Sequence, residues 1–319
     1  MKRTVAALAL SALAGLALAQ PAWPTKTVKL LVGSPPGGPS DITARVFGEQ
    51  LTKRFGQPVV VENRPGAGNN LAAQAAAKAE PDGHTLVLSP DTVLTVNPLV
   101  YGTQGFDARN DLASVSVLAS FTQMLVCNPA VGVKTVPELV AKAKAGRVTY
   151  ASGGPGVPGH LAAEMFLQTA GVKMDHVPYK GPAPATLAVL ANESNCGFLA
   201  TPTVIQHVKA GKLTALAVSS NEPSPLAPEV PTLAKALNQP GLDVSFRLLL
   251  QVAKGTPPAV LAQIERASAE IMKEPEVRAK LQNSDLVAQG TSSADTQRVM
   301  TAEIKRWEPI AKRLNIKAN

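Results

Sequence analysis

The sequence is poor in reactive and aromatic side chains. Its 319 residues include two Cys, four His, seven Phe, three Tyr and two Trp. Two cysteines cannot build a disulfide-dense scaffold. So few aromatics argue against a surface that stacks bases. His84, His160, His176 and His207 show no H-x-x-x-H or H-E-x-x-H spacing, so no metal site is expected. The chain has no phosphate loop of the G-x-x-x-x-G-K-[ST] type and no G-x-S-x-G nucleophile elbow, and its first glycine-rich turn is not a G-x-G-x-x-G. A block of one charge sign is also missing. The formal charge is +8, but basic and acidic residues interleave, as in Glu303, Lys305, Arg306, Glu308, Lys312 and Arg313. That pattern marks a solvated helix face. A nucleic-acid partner would need the charge in a patch or stripe, so none is expected, while a mild attraction for small anions remains.

One long hydrophobic run is present, at the N-terminus. Met1-Lys2-Arg3 precedes an Ala/Leu/Val run over 4–18, and Ala17-Leu18-Ala19 gives an A-x-A exit before Gln20. This is the layout of a cleaved secretory signal peptide over 1–19. The run is too short for the roughly 20 residues that span a bilayer, and no Cys follows the cut to carry a lipid. The mature chain is expected to start near Gln20 and to lie outside the cytoplasm. Losing Lys2 and Arg3 lowers its charge from +8 to +6.

What remains has 45% hydrophobic residues, too many for a disordered chain. Strand and helix patterns alternate. Strands are expected at 27–32, 58–61, 85–88, 115–126, 148–151, 175–179, 196–199 and 213–218. Helices are expected at 41–55, 71–79, 136–145, 161–170, 183–191 and 204–210. The strands lack polar alternation, which fits sheets covered on both faces. Repeated strand–helix–strand order predicts an α/β fold with two mostly parallel, doubly wound sheets, one on each side of a connection near 121–128. A strand at 244–252 and three helical segments follow, the last with a kink at Pro309. This tail is expected to return to the first unit. The predicted lobes are 20–122 with 235–319, and 123–234.

Two glycine-rich turns carry the chemistry. The first, Ser34-Pro35-Pro36-Gly37-Gly38-Pro39-Ser40-Asp41, joins a strand to a helix that Ser40 or Asp41 can cap. Its available amides are those of Ser34, Gly37, Gly38, Ser40 and Asp41. The second, Ser152-Gly153-Gly154-Pro155-Gly156-Val157-Pro158-Gly159-His160, occupies the equivalent place in the second unit. Its donors are Ser152, Gly153, Gly154, Gly156, Val157, Gly159 and His160. Amides at helix N-termini bind anions without a cationic side chain, and open α/β sheets bind ligands at the carboxyl ends of their strands. A plain tight connection explains one such turn less well when there are two. His160 reads as a residue of the first helical turn near the cleft rather than a catalyst, although a Ser–His–Asp triad assembled in space stays open. Export permits a Cys127–Cys196 disulfide, but two buried thiols are the favoured reading.

Taken in order, several motifs resemble the Bug family, the periplasmic receptors of tripartite tricarboxylate transporters. They are Trp23-Pro24, Pro36 to Asp41, Val60 to Gly68, Pro81 to Leu86, Asn97-Pro98, Tyr150 to Ser152, Gly159 to Leu161, His176 to Gly181, Lys209 to Leu213, Val230 to Thr232 and Gly255 to Pro258. The resemblance spans the mature chain. It implies a two-lobe periplasmic binding protein of type II-like form that closes on a small organic (di)carboxylate. It further implies a monomer without cofactor that delivers its acid to a large and a small membrane subunit. A receptor serving a sensor kinase and a periplasmic hydrolase are the alternatives.

By the same resemblance the cleft residues include both turns together with Asp91, Thr92, Tyr179, Leu199, Thr201 and Arg247. Leu199 stands where the family often has an acidic residue facing the cleft, which disfavours amino-acid ligands. Val157, Pro158 and Gly159 replace hydroxyl residues, so backbone amides must do more of the recognition. Arg247 is expected either to pair a second carboxylate or to be solvated. Asp91 would repel an anion and is expected to cap a helix instead.

Overall fold

The computed structural model describes residues 23–102 and 105–317, and the predicted signal peptide at 1–19 lies outside them. Strand β1 (Val28–Val32) buries Leu30, Leu31 and Val32 in succession. A strand covered on both faces needs such a run. Helix α1 (Pro39–Phe55) follows, with proline in its first turn and left-handed Gly56 at its end, the usual asymmetry of helix termini. Then come β2 (Val59–Asn63), α2 (Asn70–Ala77) and β3 (Thr85–Pro90). Two one-turn helices, Thr92–Thr95 and Asn97–Val100, lead to β4 (Leu112–Phe121) and β5 (Gln123–Cys127).

The expected single strand over 115–126 is therefore two strands. Thr122 separates them, and they belong to different sheets. The second sheet continues with α3 (Val136–Ala145), β6 (Thr149–Ser152), α4 (Pro158–Ala170), β7 (Asp175–Pro178), α5 (Pro182–Leu190), β8 (Cys196–Ala200), α6 (Thr201–Lys209) and β9 (Thr214–Val218). The chain then returns through β10 (Phe246–Ala253), α7 (Pro258–Ile271), α8 (Pro275–Gln282), β11 (Val287–Ala288) and α9 (Ser293–Leu314). Helix α9 runs on through Pro309.

Six strands form one sheet in the order β11-β4-β10-β3-β1-β2, and five form the other in the order β7-β6-β8-β5-β9. Both are mixed, which corrects the expectation of mostly parallel sheets. β1 is parallel to β2 and β3, and β6 is parallel to β7 and β8, as strand–helix–strand units require. β4 and β5 carry the chain from one sheet to the other, and β10 brings it back. Such strands arrive without a crossover over their own sheet, and they pair antiparallel. Arg54 of α1 pairs with Glu270 of α7 and with Glu274, so the C-terminal helices pack on the first sheet. Phe246 stacks on Trp307 at 5.7 Å, and Phe166 meets Phe198 at 5.5 Å in the second unit.

The two cysteines are joined, which corrects the expectation of free thiols. Cys127 ends β5 and Cys196 begins β8, and antiparallel register sets them directly opposite one another with Cα atoms 3.9 Å apart. Nothing in a sequence separation of 69 residues announces that pairing.

Candidate functional site

A cavity of about 200 Å³ lies where the two sheets meet. Residues of the β1–α1 turn, including Ser34 and Ser40, form one wall. The β6–α4 turn forms the facing wall with Gly153, Gly154, Val157 and Gly159, and Tyr179, Lys180 and Gly181 continue it. Gly66 to Asn69 close a side, and Phe121, Gln123, Phe198 and Ala200 come from strand ends at the crossing between sheets.

Helix α1 begins at Pro39 with Gly38 as its N-cap and no side-chain cap. Gly37 takes a left-handed φ of +86°, which glycine adopts freely. The Asp41 carboxylate reaches back to accept the Gly37 amide at 3.0 Å and also accepts from Arg45 and Asn63. Burial pushes its pKa up, but these bonds outweigh burial and hold the carboxyl below its ordinary range. Asp41 thus braces the turn from behind, and the Gly37 amide is spent inside it. Among the described residues, the amides of Gly38, Ser40 and Asp41 have no acceptor.

The second turn works in the same way. The Gly154 amide is held by Ser152 Oγ, and the Gly156 amide donates to His160 Nδ1. Gly153, Val157, Gly159 and His160 keep amides without an acceptor among the described residues. Gly154, Gly156 and Gly159 have G-x-G-x-x-G spacing, a pattern absent from the first turn. Each glycine has the corresponding mechanical role. Gly154 (φ +125°) and Gly156 (φ +68°) turn the chain. Gly159 lets α4 lie so close to β8 that a Cβ there would sit 2.2 Å from the Phe198 carbonyl oxygen. The cavity is far smaller than the 300–1,000 Å³ of drug-sized ligand sites, so a dinucleotide does not fit.

Ser152 and His160 lie behind the turn, off the cavity wall. Ser152 Oγ is 2.6 Å from His176 Nε2, and the His176 ring stacks between His160 (4.0 Å) and Tyr150 (4.9 Å). Tyr150 donates to Glu164 at 2.6 Å, and His160 Nε2 lies 3.6 Å from the same carboxylate. Burial, with the neighbouring His160 adding to it, pushes the His176 pKa down to about 3. A serine and a neutral histidine within reach resemble a nucleophile and its base, yet Ser152 is fully buried and its hydroxyl is bound to the turn's own backbone.

Asp91 and Thr92 are buried off the wall, beside the half-buried Arg247. Asp91 stands at the N-cap of Thr92–Thr95 but makes no capping bond, which corrects that expectation. Its side chain is completely buried, 3.8 Å from Arg247. Burial raises its pKa to about 7, against the opposing pull of Arg247. Arg247 also pairs with Glu303 at 3.2 Å. Its partly exposed guanidinium is therefore already engaged within the protein rather than free for a second carboxylate. Leu199 is likewise corrected. β8 alternates, so Phe198 and Ala200 reach the cavity while Leu199 points into the opposite core with Val189 and Val204. Thr201 is buried at the start of α6, 3.4 Å from the Thr122 hydroxyl.

Asp91 and His176 impose opposite pH dependences. His176 is neutral in the fold, with a pKa near 3 against about 6.5 when unfolded, so its stability contribution is lost as pH falls from about 6.5. Asp91 titrates near 7 in the fold against about 3.9 unfolded, so it costs stability as pH rises from about 4 to 7. Each slope reaches at most about 1.4 kcal/mol per pH unit, and between these limits they offset. Asp91→Asn removes one of them. The variant is expected to melt increasingly below its own pH 7 value as pH drops to 5, while wild type changes little. Melting curves with a constant difference between the two proteins at pH 5, 7 and 8 would contradict the Asp91 assignment, and a variant whose melting is flat from pH 7 to 5 would contradict that of His176.

The two sides of the cavity touch. Tyr101 donates to the Pro155 carbonyl at 2.8 Å. Pro182 lies 3.2 Å from the position a Gly38 Cβ would take, and Pro35 lies 2.5 Å from that of Gly181. Sequence reasoning missed Tyr101, Phe121, Gln123, Asn69 and Phe198 as wall residues. None of these lies inside a motif quoted above.

Comparison with known proteins agrees with this geometry. A model of the tripartite tricarboxylate transporter family receptor matches residues 43–316. Protein BugT of Bordetella pertussis is 31% identical over 303 residues, 92% of this chain and 91% of its own. An R. palustris protein solved with adipate superposes with a TM-score of 0.89 and 30% identity, covering 93% of this chain and 100% of that one. MatC from Rhodopseudomonas palustris with bound malate gives 0.83 and 25%, covering 91% and 100%. No helix among the described residues is long and apolar enough to cross a membrane. The two-sheet α/β fold with its intervening cavity, and a family match along most of the sequence, place the chain in the tripartite tricarboxylate transporter receptor family.

Proposed function

We propose that the protein is an exported, non-catalytic receptor that captures a small organic acid between two lobes, 20–122 with 235–319 and 123–234. It acts as a monomer in the periplasm and hands the acid to the membrane subunits of a tripartite transporter. The observation that carries this reading is the convergence of two helix N-termini with unspent amides on one cavity. Adipate and malate in the two R. palustris proteins support a carboxylate as ligand. The proposed binding residues are the amides of Gly38, Ser40, Gly153, Val157 and Gly159, with the side chains of Ser40 and Tyr179. Gly37, Asp41, Gly154, Ser152 and His160 hold those amides in place. The burial of Ser152 away from the cavity supports the non-catalytic reading over a hydrolase.

A thermal-shift screen of mono- and dicarboxylates tests the function, because a ligand bound by the native state alone raises stability. Gly38→Pro tests the turn. It removes one unspent amide and sets a ring against Pro182, whose Cγ is 3.2 Å from the new Cβ. Affinity for an acid that shifts the wild type is expected to fall about tenfold, the worth of one hydrogen bond to a charged group. Calorimetry that finds equal affinity would refute the role given to that amide.

A further inference from the structure

The wall of the cavity is charged at one place. Lys180 is its single ionisable cation and no Asp or Glu lines it. Arg247, which a second carboxylate would need, is bound by Glu303 outside the wall. The rest is apolar or neutral, with Phe121 and Phe198 at the crossing between sheets. One side chain points to a ligand independently of the helix termini. Ser34 lines the cavity, and its hydroxyl oxygen is buried with no hydrogen-bond partner among the described residues. Buried polar groups are costly unless bonded. A ligand carboxylate supplies the acceptor that the Ser34 hydroxyl lacks.

Size narrows the choice. A 150 Å³ apolar cavity holds benzene, so about 200 Å³ holds a body of that size and little more than one carboxylate beside it. With the free amides and Lys180 taken by the first carboxylate, a second would be desolvated against Phe121, Phe198 and prolines with no further cation to meet it, which is strongly unfavourable. Resting on the carboxylate-receptor reading above, we infer that the ligand is a monocarboxylate with a compact apolar or aromatic body, not a dicarboxylate.

Calorimetry on the full mature protein, refolded from denaturant to strip carried-over ligand, tests this with phenylacetate, adipate, malate and phenylacetamide. Phenylacetate is expected to bind at least tenfold tighter than adipate or malate, and at least tenfold tighter than phenylacetamide, which lacks the charge. Adipate or malate binding as tightly as phenylacetate would overturn the inference and leave the carboxylate receptor standing. Phenylacetamide matching phenylacetate, with no response to either dicarboxylate, would overturn both.

Discussion

Gly159→Ala is expected to weaken carboxylate binding by at least 100-fold and to lower the melting temperature by about 5 °C. Helix propensity alone predicts the opposite sign. Replacing a helical glycine by alanine adds up to about 1 kcal/mol of stability where the side chain is exposed. Here the new Cβ would lie 2.2 Å from the Phe198 carbonyl oxygen and 3.4 Å from Gln123 Oε1. The first of these is backbone in the middle of the second sheet, bonded to its neighbours through β8, so it cannot swing away as a flexible side chain would. The N-terminal turn of α4 has to retreat instead. That turn carries the unspent amides of Gly159 and His160, and both neighbours of the clash line the cavity. A retreat of half an ångström or more breaks the geometry that several hydrogen bonds share. A 100-fold loss corresponds to about 2.7 kcal/mol, one or two charge-assisted bonds at about 1.5–3 kcal/mol each.

Gly146→Ala is the control, since its Cβ meets nothing within 4 Å and its backbone is extended. Calorimetry with a carboxylate that stabilises the wild type, together with circular-dichroism melting, reads both effects. A Gly159→Ala protein that binds like wild type would mean that the α4 terminus does not touch the ligand.

The same glycine shows what was legible in the sequence. Proline and glycine fix backbone conformation locally, so both turns, their placement between strand and helix, and their supply of amides followed from composition at 34–41 and 152–160. What the sequence could not provide was tertiary. The apolar stretch over 115–126 concealed the point where the chain changes sheets, because Phe121 and Gln123 face the same cavity from different sheets and only Thr122 lies between them. Leu199 was placed in the cleft from its position in a motif, but a strand turns alternate side chains to opposite faces, and β8 turns Phe198 and Ala200 inward. The sequence offers Asp41 as a helix cap and an amide donor, and Arg247 as a charge. The Asp41 carboxylate is taken by Arg45, its i,i+4 neighbour on the same helix, and Arg247 by Glu303, a partner that only the folded chain brings within reach.

Removing the Cys127–Cys196 bond by a double Cys→Ala change is expected to lower the melting temperature by roughly 8 °C or more while leaving carboxylate affinity within twofold. The bond closes a loop of 69 residues. The chain-entropy model gives about 4 kcal/mol for a loop of that length, and each kcal/mol moves the midpoint of a domain this large by about 2 °C or somewhat more. Affinity should be spared by geometry. In the β5–β8 ladder Gln123 pairs with Ala200 at the cavity end, and Cys127 pairs with Cys196 at the other. Four residues of extended strand separate them, about 13 Å. At the cavity end the register is also held by Thr201 bonding to Thr122 and Ser219 to Gln123, so it does not depend on the bond. If the two sheets unfold in separate steps, only the transition of the five-stranded unit should move, because both cysteines belong to it. Single Cys→Ala changes should match the double change, since either one opens the loop. Wild type under reducing conditions should converge on the same midpoint, which separates loss of the bond from loss of two buried side chains. Coincident melting of oxidised and reduced wild type would show that the loop contributes nothing to the stability of the fold.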